Sequence, residues 1–236
     1  MLSSLKLLLK KIPVPLTRNH RYDLLTKKII RQCCHENFNC IDVGAHRGEV
    51  LDWFLKYAPN GIHFAFEPLP FFFELLKKKY ESKARIFPFA LSDKKGISSF
   101  NYVISNPAYS GLKKRSYDKK NEKDTTIEIE TDTLDNCIPS NFVVNFIKLD
   151  VEGAELDVLQ GAKRILKENH PIIVFEFGIG GSDVYDAGPE KMFSFFEQFN
   201  YKIFLLENFI KGKAALTLSD LEDQFYNRKN YYFVAG

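Results

Sequence analysis

The stretch NFIKLDVEGAE, residues 145–155, decides the fold of this chain. The residues before its charged end are almost all apolar, which is typical of a parallel strand buried on both faces. Three carboxylates, Asp150, Glu152 and Glu155, lie at its end, and Lys148 precedes them. Helical spacing of apolar residues begins directly afterwards. The stretch therefore predicts a central strand, a charged carboxyl end and a helix.

The composition is that of one globular α/β domain. The chain has 236 residues, of which 45% are hydrophobic and 27% charged, and no Pro/Gly/Ser-rich linker divides it. Its net charge of +3 is modest, and its lysines and arginines come in short runs, so we predict no nucleic-acid partner. The four cysteines fit no metal-ligand spacing and no disulfide framework, which favours reduced thiols in a cytoplasmic protein.

The N-terminal segment is predicted to be a helical extension, residues 1–36, ahead of the main domain at residues 37–236. Within it, residues 1–12 have leucines on one face and lysines beside them. As a helix they would span only about 18 Å, short of the roughly 30 Å hydrocarbon core of a bilayer. Two interpretations remain open, a peripheral membrane contact through residues 1–12 and a docked or frayed terminus.

Strands and helices alternate along most of the chain. The segments with strand character are residues 38–43, 62–66, 85–90, 142–150, 171–178, 201–206 and 231–235. Helical spacing of apolar residues fills most of the gaps between the first five segments. This pattern predicts a Rossmann-like, seven-stranded, mostly parallel sheet with helices on both faces.

The alternation is interrupted at residues 94–140, where no amphipathic helix fills the expected crossover. Residues 97–104 and 126–131 instead look like two strands around a polar, lysine-rich loop. We predict a hairpin insertion before the fourth parallel strand. Loops of this size often form lids or substrate walls.

The ends of the first two strands suggest a nucleoside cofactor. Gly44 and Gly48 allow the turn after strand one to pass close to a ligand, and Glu67 lies where a carboxylate could accept both ribose hydroxyls. Asp42 precedes this turn, and its charge would repel a pyrophosphate. The cationic ammonium and sulfonium of S-adenosylmethionine would suit it better.

Seven short motifs of this sequence resemble the FkbM-type family of S-adenosylmethionine-dependent methyltransferases. They are IDVGAHRG at residues 41–48, FEP at 66–68, ALSD at 90–93, TLD at 133–135, IKLDVEGAE at 147–155, LQGA at 159–162 and FE at 175–176. The resemblance implies a class I methyltransferase fold and O-methylation of a hydroxyl on a small molecule or glycan, a sugar above all. Glycan or polysaccharide biosynthesis is the setting that it suggests.

The resemblance also suggests site residues. Asp42, Gly44, Ala45 and Gly48 would hold the methionine part of the cofactor, Glu67 the ribose, and Leu91 and Ser92 the adenine side. His46, Pro68 and Asp150 complete the predicted cofactor-binding set.

Catalysis of methyl transfer needs alignment of the acceptor and removal of one proton. Asp150, Glu152 and Glu176 are the predicted catalytic residues, and the sequence does not separate base from positioning group. Asp150 and Glu176 could also hold a divalent cation, since carboxylates on neighbouring strands favour hard metals. We nevertheless predict no metal.

The sequence leaves three other functions open. The fold could bind NAD or a nucleotide sugar, or the chain could be a non-catalytic binding protein. RNA methylation is disfavoured by the modest charge and by the absence of an Asn-Pro-Pro-Tyr-like motif.

Overall fold

The computed structural model describes residue 15, residues 17–117 and residues 121–236. The predicted membrane contact through residues 1–12 lies outside these residues. Among the described helices, none has the length and apolar character needed to cross a bilayer.

The main sheet has seven strands. They are β1 (Cys40–Val43), β2 (His63–Phe66), β3 (Ala84–Phe87), β7 (Phe146–Leu149), β8 (Ile172–Glu176), β9 (Ile203–Leu205) and β10 (Tyr232–Ala235). Their order is β3-β2-β1-β7-β8-β10-β9, and β10 runs in the direction opposite to the other six strands. The predicted seven-stranded, mostly parallel sheet is confirmed, and β7, which lies within the stretch at residues 145–155, is its central strand.

Helices cover both faces of this sheet. One face packs on α5 (Glu155–Gln160), α6 (Lys163–Asn169), α7 (Pro189–Gln198) and α9 (Leu218–Tyr226), and the other on α1 (Arg18–Cys33), α2 (Glu49–Tyr57), α3 (Pro70–Tyr80) and α8 (Leu206–Ile210). Successive strand residues point to opposite faces, so Ile147 joins the first core and Phe146 the second. Both faces of the central strands are therefore buried.

A second, three-stranded sheet forms the predicted hairpin insertion. It contains β4 (Ala90–Leu91), β5 (Gly96–Val103) and β6 (Asp124–Asp132) in the order β4-β6-β5. A 3₁₀ turn at Pro107–Tyr109 lies in the loop between β5 and β6, and the short helix α4 (Leu134–Cys137) follows β6. The hairpin prediction is confirmed.

Four elements differ from the expectation drawn from the pattern. The segment at 85–90 divides, because Pro88 lacks a backbone N–H and Ala90 pairs with β6 instead of the main sheet. The helix after Gly153 breaks at Gly161, whose backbone lies against the carbonyl of Ser92, leaving no room for a side chain. Helices α8 and α9 were not predicted.

Helix α1 packs onto the main domain. Tyr22, Ile29 and Ile30 are buried in the core with Leu51 and Phe54 of α2. The Arg18 side chain donates to the carbonyl of Arg228 near the C-terminus, at 3.1 Å. The division at residue 36 stays a prediction, and this helix contributes to the core of the larger domain.

Candidate functional site

A cavity of about 910 Å³ opens at the carboxyl ends of β1, β2, β7 and β8. In a parallel α/β sheet this edge is where ligands bind. Ten of the twelve predicted site residues line it, namely Asp42, Gly44, Ala45, His46, Glu67, Pro68, Leu91, Asp150, Glu152 and Glu176. Gly48 and Ser92 do not. The volume is large enough for a cofactor and a second small molecule.

Gly48 and Ser92, the two predicted site residues that do not line the cavity, contact other parts of the protein. A Cβ on Gly48 would lie 2.4 Å from the Tyr80 hydroxyl oxygen, which itself donates to the Gly48 carbonyl at 2.7 Å. The Ser92 backbone N–H donates to the Asp132 carbonyl at 3.0 Å. Gly48 thus packs on α3, and Ser92 extends the pairing of β4 with β6 in the small sheet.

The turn after β1 is held by the carboxylate of Glu67. Its Oε2 accepts the His46 backbone N–H at 2.8 Å, and its Oε1 accepts that of Leu69 at 3.0 Å. Burial raises the pKa of Glu67 to about 7, while these two hydrogen bonds act in the opposite direction. Each oxygen keeps capacity for a second hydrogen bond, which is what a ribose diol would require.

Asp42 offers an unused acceptor in the same cavity. It is only 2% exposed, and its Oδ2 has no hydrogen-bond partner within the described chain. Burial raises the pKa of Asp42 to about 7, against the favourable charge of Lys148. A buried, unsatisfied carboxylate oxygen is costly unless a ligand completes it. This orphaned atom fits a cofactor that carries an ammonium group.

The turn after β7 directs Glu152 toward the cavity. Glu152 has φ +59° and Gly153 has φ +112°, conformations that non-glycine residues rarely adopt. The buried Glu155 stabilises this turn, since its Oε1 accepts the backbone N–H groups of Val151 at 2.9 Å and Gly153 at 3.3 Å. Glu155, the first residue of α5, therefore shapes the site.

Three carboxylates converge at the ends of β7 and β8. Oxygens of Asp150, Glu152 and Glu176 all lie within 4.8 Å of one another. Two cations of the chain accompany them: Lys148 Nζ lies 3.1 Å from Asp150 Oδ2, and Arg115 pairs with Glu152. Such a group of oxygens could hold a hard cation, yet these two side chains already supply compensating charge.

Asp150 and Glu176 have different protonation preferences. Burial opposes ionisation of Asp150, but the charge of Lys148 and hydrogen bonds from Glu176 and Tyr232 outweigh it and lower the pKa of Asp150. Burial and the nearby charge of Asp150 together raise the pKa of Glu176. A proton shared by the pair therefore resides preferentially on Glu176, and the negative charge on Asp150.

Several residues that the sequence reasoning missed also line the cavity. They come from α1 (Arg18, Asn19, His20, Asp23 and Thr26), from the hairpin loop (Leu112 and Arg115) and from the C-terminal region (Phe225, Arg228, Asn230, Tyr231 and Tyr232). No local motif marks them, because each belongs to an ordinary helix, loop or strand. The short run of basic residues at 113–115 is visible in the sequence, but nothing in it indicates a cavity.

Comparison with known protein families gives one match over most of the domain. Residues 42–203 match the family described as methyltransferase FkbM domain. No curated protein matches the sequence significantly.

Solved structures with a similar fold include several methyltransferases. Precorrin-6y C5,15-methyltransferase from Geobacter metallireducens GS-15 is 18% identical, with 80% of this chain and 76% of that chain covered and a TM-score of 0.44. A TehB-like SAM-dependent methyltransferase from Corynebacterium glutamicum is 10% identical, with 89% and 85% covered and a TM-score of 0.46. The plantazolicin methyltransferase solved with SAH is 11% identical, with 93% and 84% covered and a TM-score of 0.47.

Proposed function

We propose that this chain, which belongs to the methyltransferase FkbM domain family, transfers a methyl group from S-adenosylmethionine to a hydroxyl of a small molecule or glycan. The observation that carries the proposal is the shared cavity. The glycine turn after β1, Glu67 and the carboxylates at the ends of β7 and β8 all line it. Groups suited to a nucleoside and groups suited to proton removal therefore face one space.

The cofactor end of the cavity is assigned to β1, β2 and β4. Asp42, with its orphaned oxygen, would meet the ammonium group, and Glu67 would accept hydrogen bonds from the ribose. Leu91 is 1% exposed and would lie on the adenine side. When bound, S-adenosylmethionine supplies an already activated methyl group, which leaves the protein to orient the acceptor and to remove its proton.

Removal of the acceptor's hydroxyl proton is assigned to the carboxylates at the ends of β7 and β8. Asp150 is the first choice for the base. The charge of Lys148 and the hydrogen bonds from Glu176 and Tyr232 keep this carboxylate ionised. Glu176, whose proton forms a hydrogen bond with Asp150, is assigned to holding that carboxylate in place. Glu152 is held by Arg115 of the hairpin loop, so its role is assigned to closing the cavity wall.

The acceptor end is assigned to the wall formed by α1 and the C-terminal segment. The exposed side chains of Arg18 and Asn19 provide polar groups, and Tyr231 provides an aromatic face. Hydroxyl-rich ligands such as sugars are bound through such polar groups beside apolar rings. A sugar hydroxyl is therefore the preferred acceptor.

Cofactor choice can be tested with the purified chain alone. S-adenosylhomocysteine, NAD and an ADP-sugar are titrated in parallel in a thermal-shift measurement. At a concentration of about 100 times the dissociation constant, linkage gives roughly 2.7 kcal/mol of stabilisation. For a chain of this size we expect S-adenosylhomocysteine to raise Tm by about 5–10 °C. A shift with NAD instead, or no shift with S-adenosylhomocysteine, would contradict the proposal.

Cofactor affinity is expected to depend on pH through Asp42. This carboxyl has a pKa of about 7, so it is protonated at pH 6 and ionised at pH 8. If the ammonium of the ligand binds the ionised form, the dissociation constant of S-adenosylhomocysteine should fall by up to about tenfold between pH 6 and pH 8. Isothermal titration calorimetry at the two pH values measures this change.

The control for the pH effect is Asp42→Asn, which removes the titrating group and keeps its shape. The variant should bind more weakly at pH 8 and lose most of the pH dependence. Equal affinity of the unmodified chain at both pH values would show that Asp42 does not meet the ligand's charge.

A further inference from the structure

We propose that Tyr232 is a positioning residue for methyl transfer, which holds the Asp150 carboxylate through its hydroxyl. This assignment rests on the proposed function and adds a residue that belongs to no motif of the sequence. Tyr232 lies on β10, the antiparallel strand near the C-terminus. Its hydroxyl donates a hydrogen bond to Oδ2 of Asp150, 82 positions earlier in the chain.

The strand register explains why Tyr232 reaches this carboxylate. Tyr232 pairs with Glu176 on β8, and Lys148 on β7 pairs with Val174, two residues before Glu176. Paired residues of neighbouring strands point to the same face, as do residues two apart. Tyr232, Glu176 and Lys148 therefore share one face of the sheet at the end where Asp150 follows β7.

Lys148 contacts both Asp150 and Tyr232. It is 5% exposed, its Nζ lies 3.1 Å from Oδ2 of Asp150, and it lies 4.7 Å from the centre of the Tyr232 ring. A cation over an aromatic ring is attracted by the ring. Tyr232 thus orients the carboxylate with its hydroxyl and the ammonium with its ring.

The charged surroundings of Asp150 make this orientation necessary. Lys148 on β7 is the favourable charge, while Asp42 on β1, Glu176 on β8, Glu155 on α5 and Glu152 in the following turn are acidic groups near it. Without the Tyr232 hydroxyl, Oδ2 would still be held by Lys148, and the carboxylate could follow that side chain away from the acceptor. A misplacement of about 1 Å can cost roughly a hundredfold in rate.

The test compares Tyr232→Phe with the unmodified chain. The substitution keeps the ring over Lys148 and removes only the hydroxyl. Turnover is measured as tritium transfer from [methyl-³H]S-adenosylmethionine into a deproteinised extract of the source cells, which serves as the acceptor pool. We expect kcat to fall by about 10–100-fold, while the dissociation constant of S-adenosylhomocysteine stays within twofold.

The matched control is Tyr201→Phe. The Tyr201 hydroxyl donates to the Pro171 carbonyl at 3.0 Å in a buried position outside the cavity lining. Its removal also costs one buried hydrogen bond, so the two variants should lose similar stability. Only Tyr232→Phe should lose turnover.

A double-mutant cycle separates positioning from a general structural effect. In an Asp150→Asn background the amide cannot accept the proton however well it is oriented, so adding Tyr232→Phe should change the residual rate by less than twofold. Unchanged kcat in Tyr232→Phe, or an equal loss in both backgrounds, would overturn the assignment. Absence of transfer by the unmodified chain would instead overturn the proposed function, on which the assignment rests.

Discussion

Replacement of Asp150 by asparagine is expected to lower turnover by about 10²–10⁴-fold, the usual contribution of a positioned general base. Asparagine has nearly the same shape, and its amide oxygen can still accept hydrogen bonds from Tyr232 and Lys148. The amide cannot take up the acceptor's proton, so the loss should fall on kcat. Tritium transfer at saturating S-adenosylmethionine measures it, and calorimetry should show affinity for S-adenosylhomocysteine changed by only a few-fold.

The control for this substitution is Asp186→Asn. Asp186 also pairs with a lysine, Lys191, but it is exposed and outside the cavity lining. Asparagine tolerates its left-handed conformation, φ +55°, so its turnover should match that of the unmodified chain. If Asp150→Asn and Glu152→Gln both kept near-normal turnover, the assignment of the base to this carboxylate group would be wrong.

The sheet and one side of the cavity could be predicted from the sequence because both depend on local patterns. Apolar segments followed by glycine or a carboxylate mark the ends of parallel strands, and those ends meet at one edge of the sheet. Asp42, Glu67, Asp150 and Glu176 each follow or end such a segment. Their common placement in the cavity follows from the topology.

The opposite side of the cavity could not be predicted because distant parts of the chain form it. Arg18 and Tyr232 are more than 200 residues apart, and Arg115 comes from the loop of the hairpin insertion. Tyr232 belongs to a short strand whose place between β8 and β9 is set by antiparallel pairing. Pairing of this kind leaves no signature in the residues themselves, so a contact such as Tyr232 to Asp150 becomes visible only in the fold.

The partners of the two turn glycines also could not be predicted from the sequence. Gly44 and Gly48 were both assigned to cofactor approach, yet their nearest neighbours differ. Gly48 packs against the Tyr80 ring, whereas Gly44 packs against the Asp150 backbone. A glycine in a turn therefore indicates a close contact without indicating its partner.

Substitution of Gly44 by alanine is expected to be the most destabilising single change at the site. Gly44 has φ +78°, and a Cβ placed on it would lie 1.9 Å from the carbonyl oxygen of Asp150. The ends of β1 and β7 are tied together there, since the Asp150 backbone N–H donates to the Val43 carbonyl at 3.1 Å. An alanine must push the two central strands apart at the residue that we propose as the base.

The expected cost of Gly44→Ala combines two effects. The left-handed conformation costs about 1–2 kcal/mol for a non-glycine residue, and overpacking adds about 1–3 kcal/mol. At this chain length each kcal/mol lowers Tm by about 2–4 °C, so a loss of the order of 10 °C is expected. Urea unfolding gives the free energy directly, and binding of S-adenosylhomocysteine should weaken because the turn that would hold it has moved.

Gly212→Ala separates the two effects. Gly212 also has a positive φ, +60°, but a Cβ there would meet no atom within 4 Å. This variant should show only the conformational cost and should keep its affinity for S-adenosylhomocysteine. The difference between the two variants then measures the close approach of β1 to Asp150. Equal destabilisation would mean that the strand ends can separate freely, and the orientation of Asp150 could then not depend on the packing between β1 and β7.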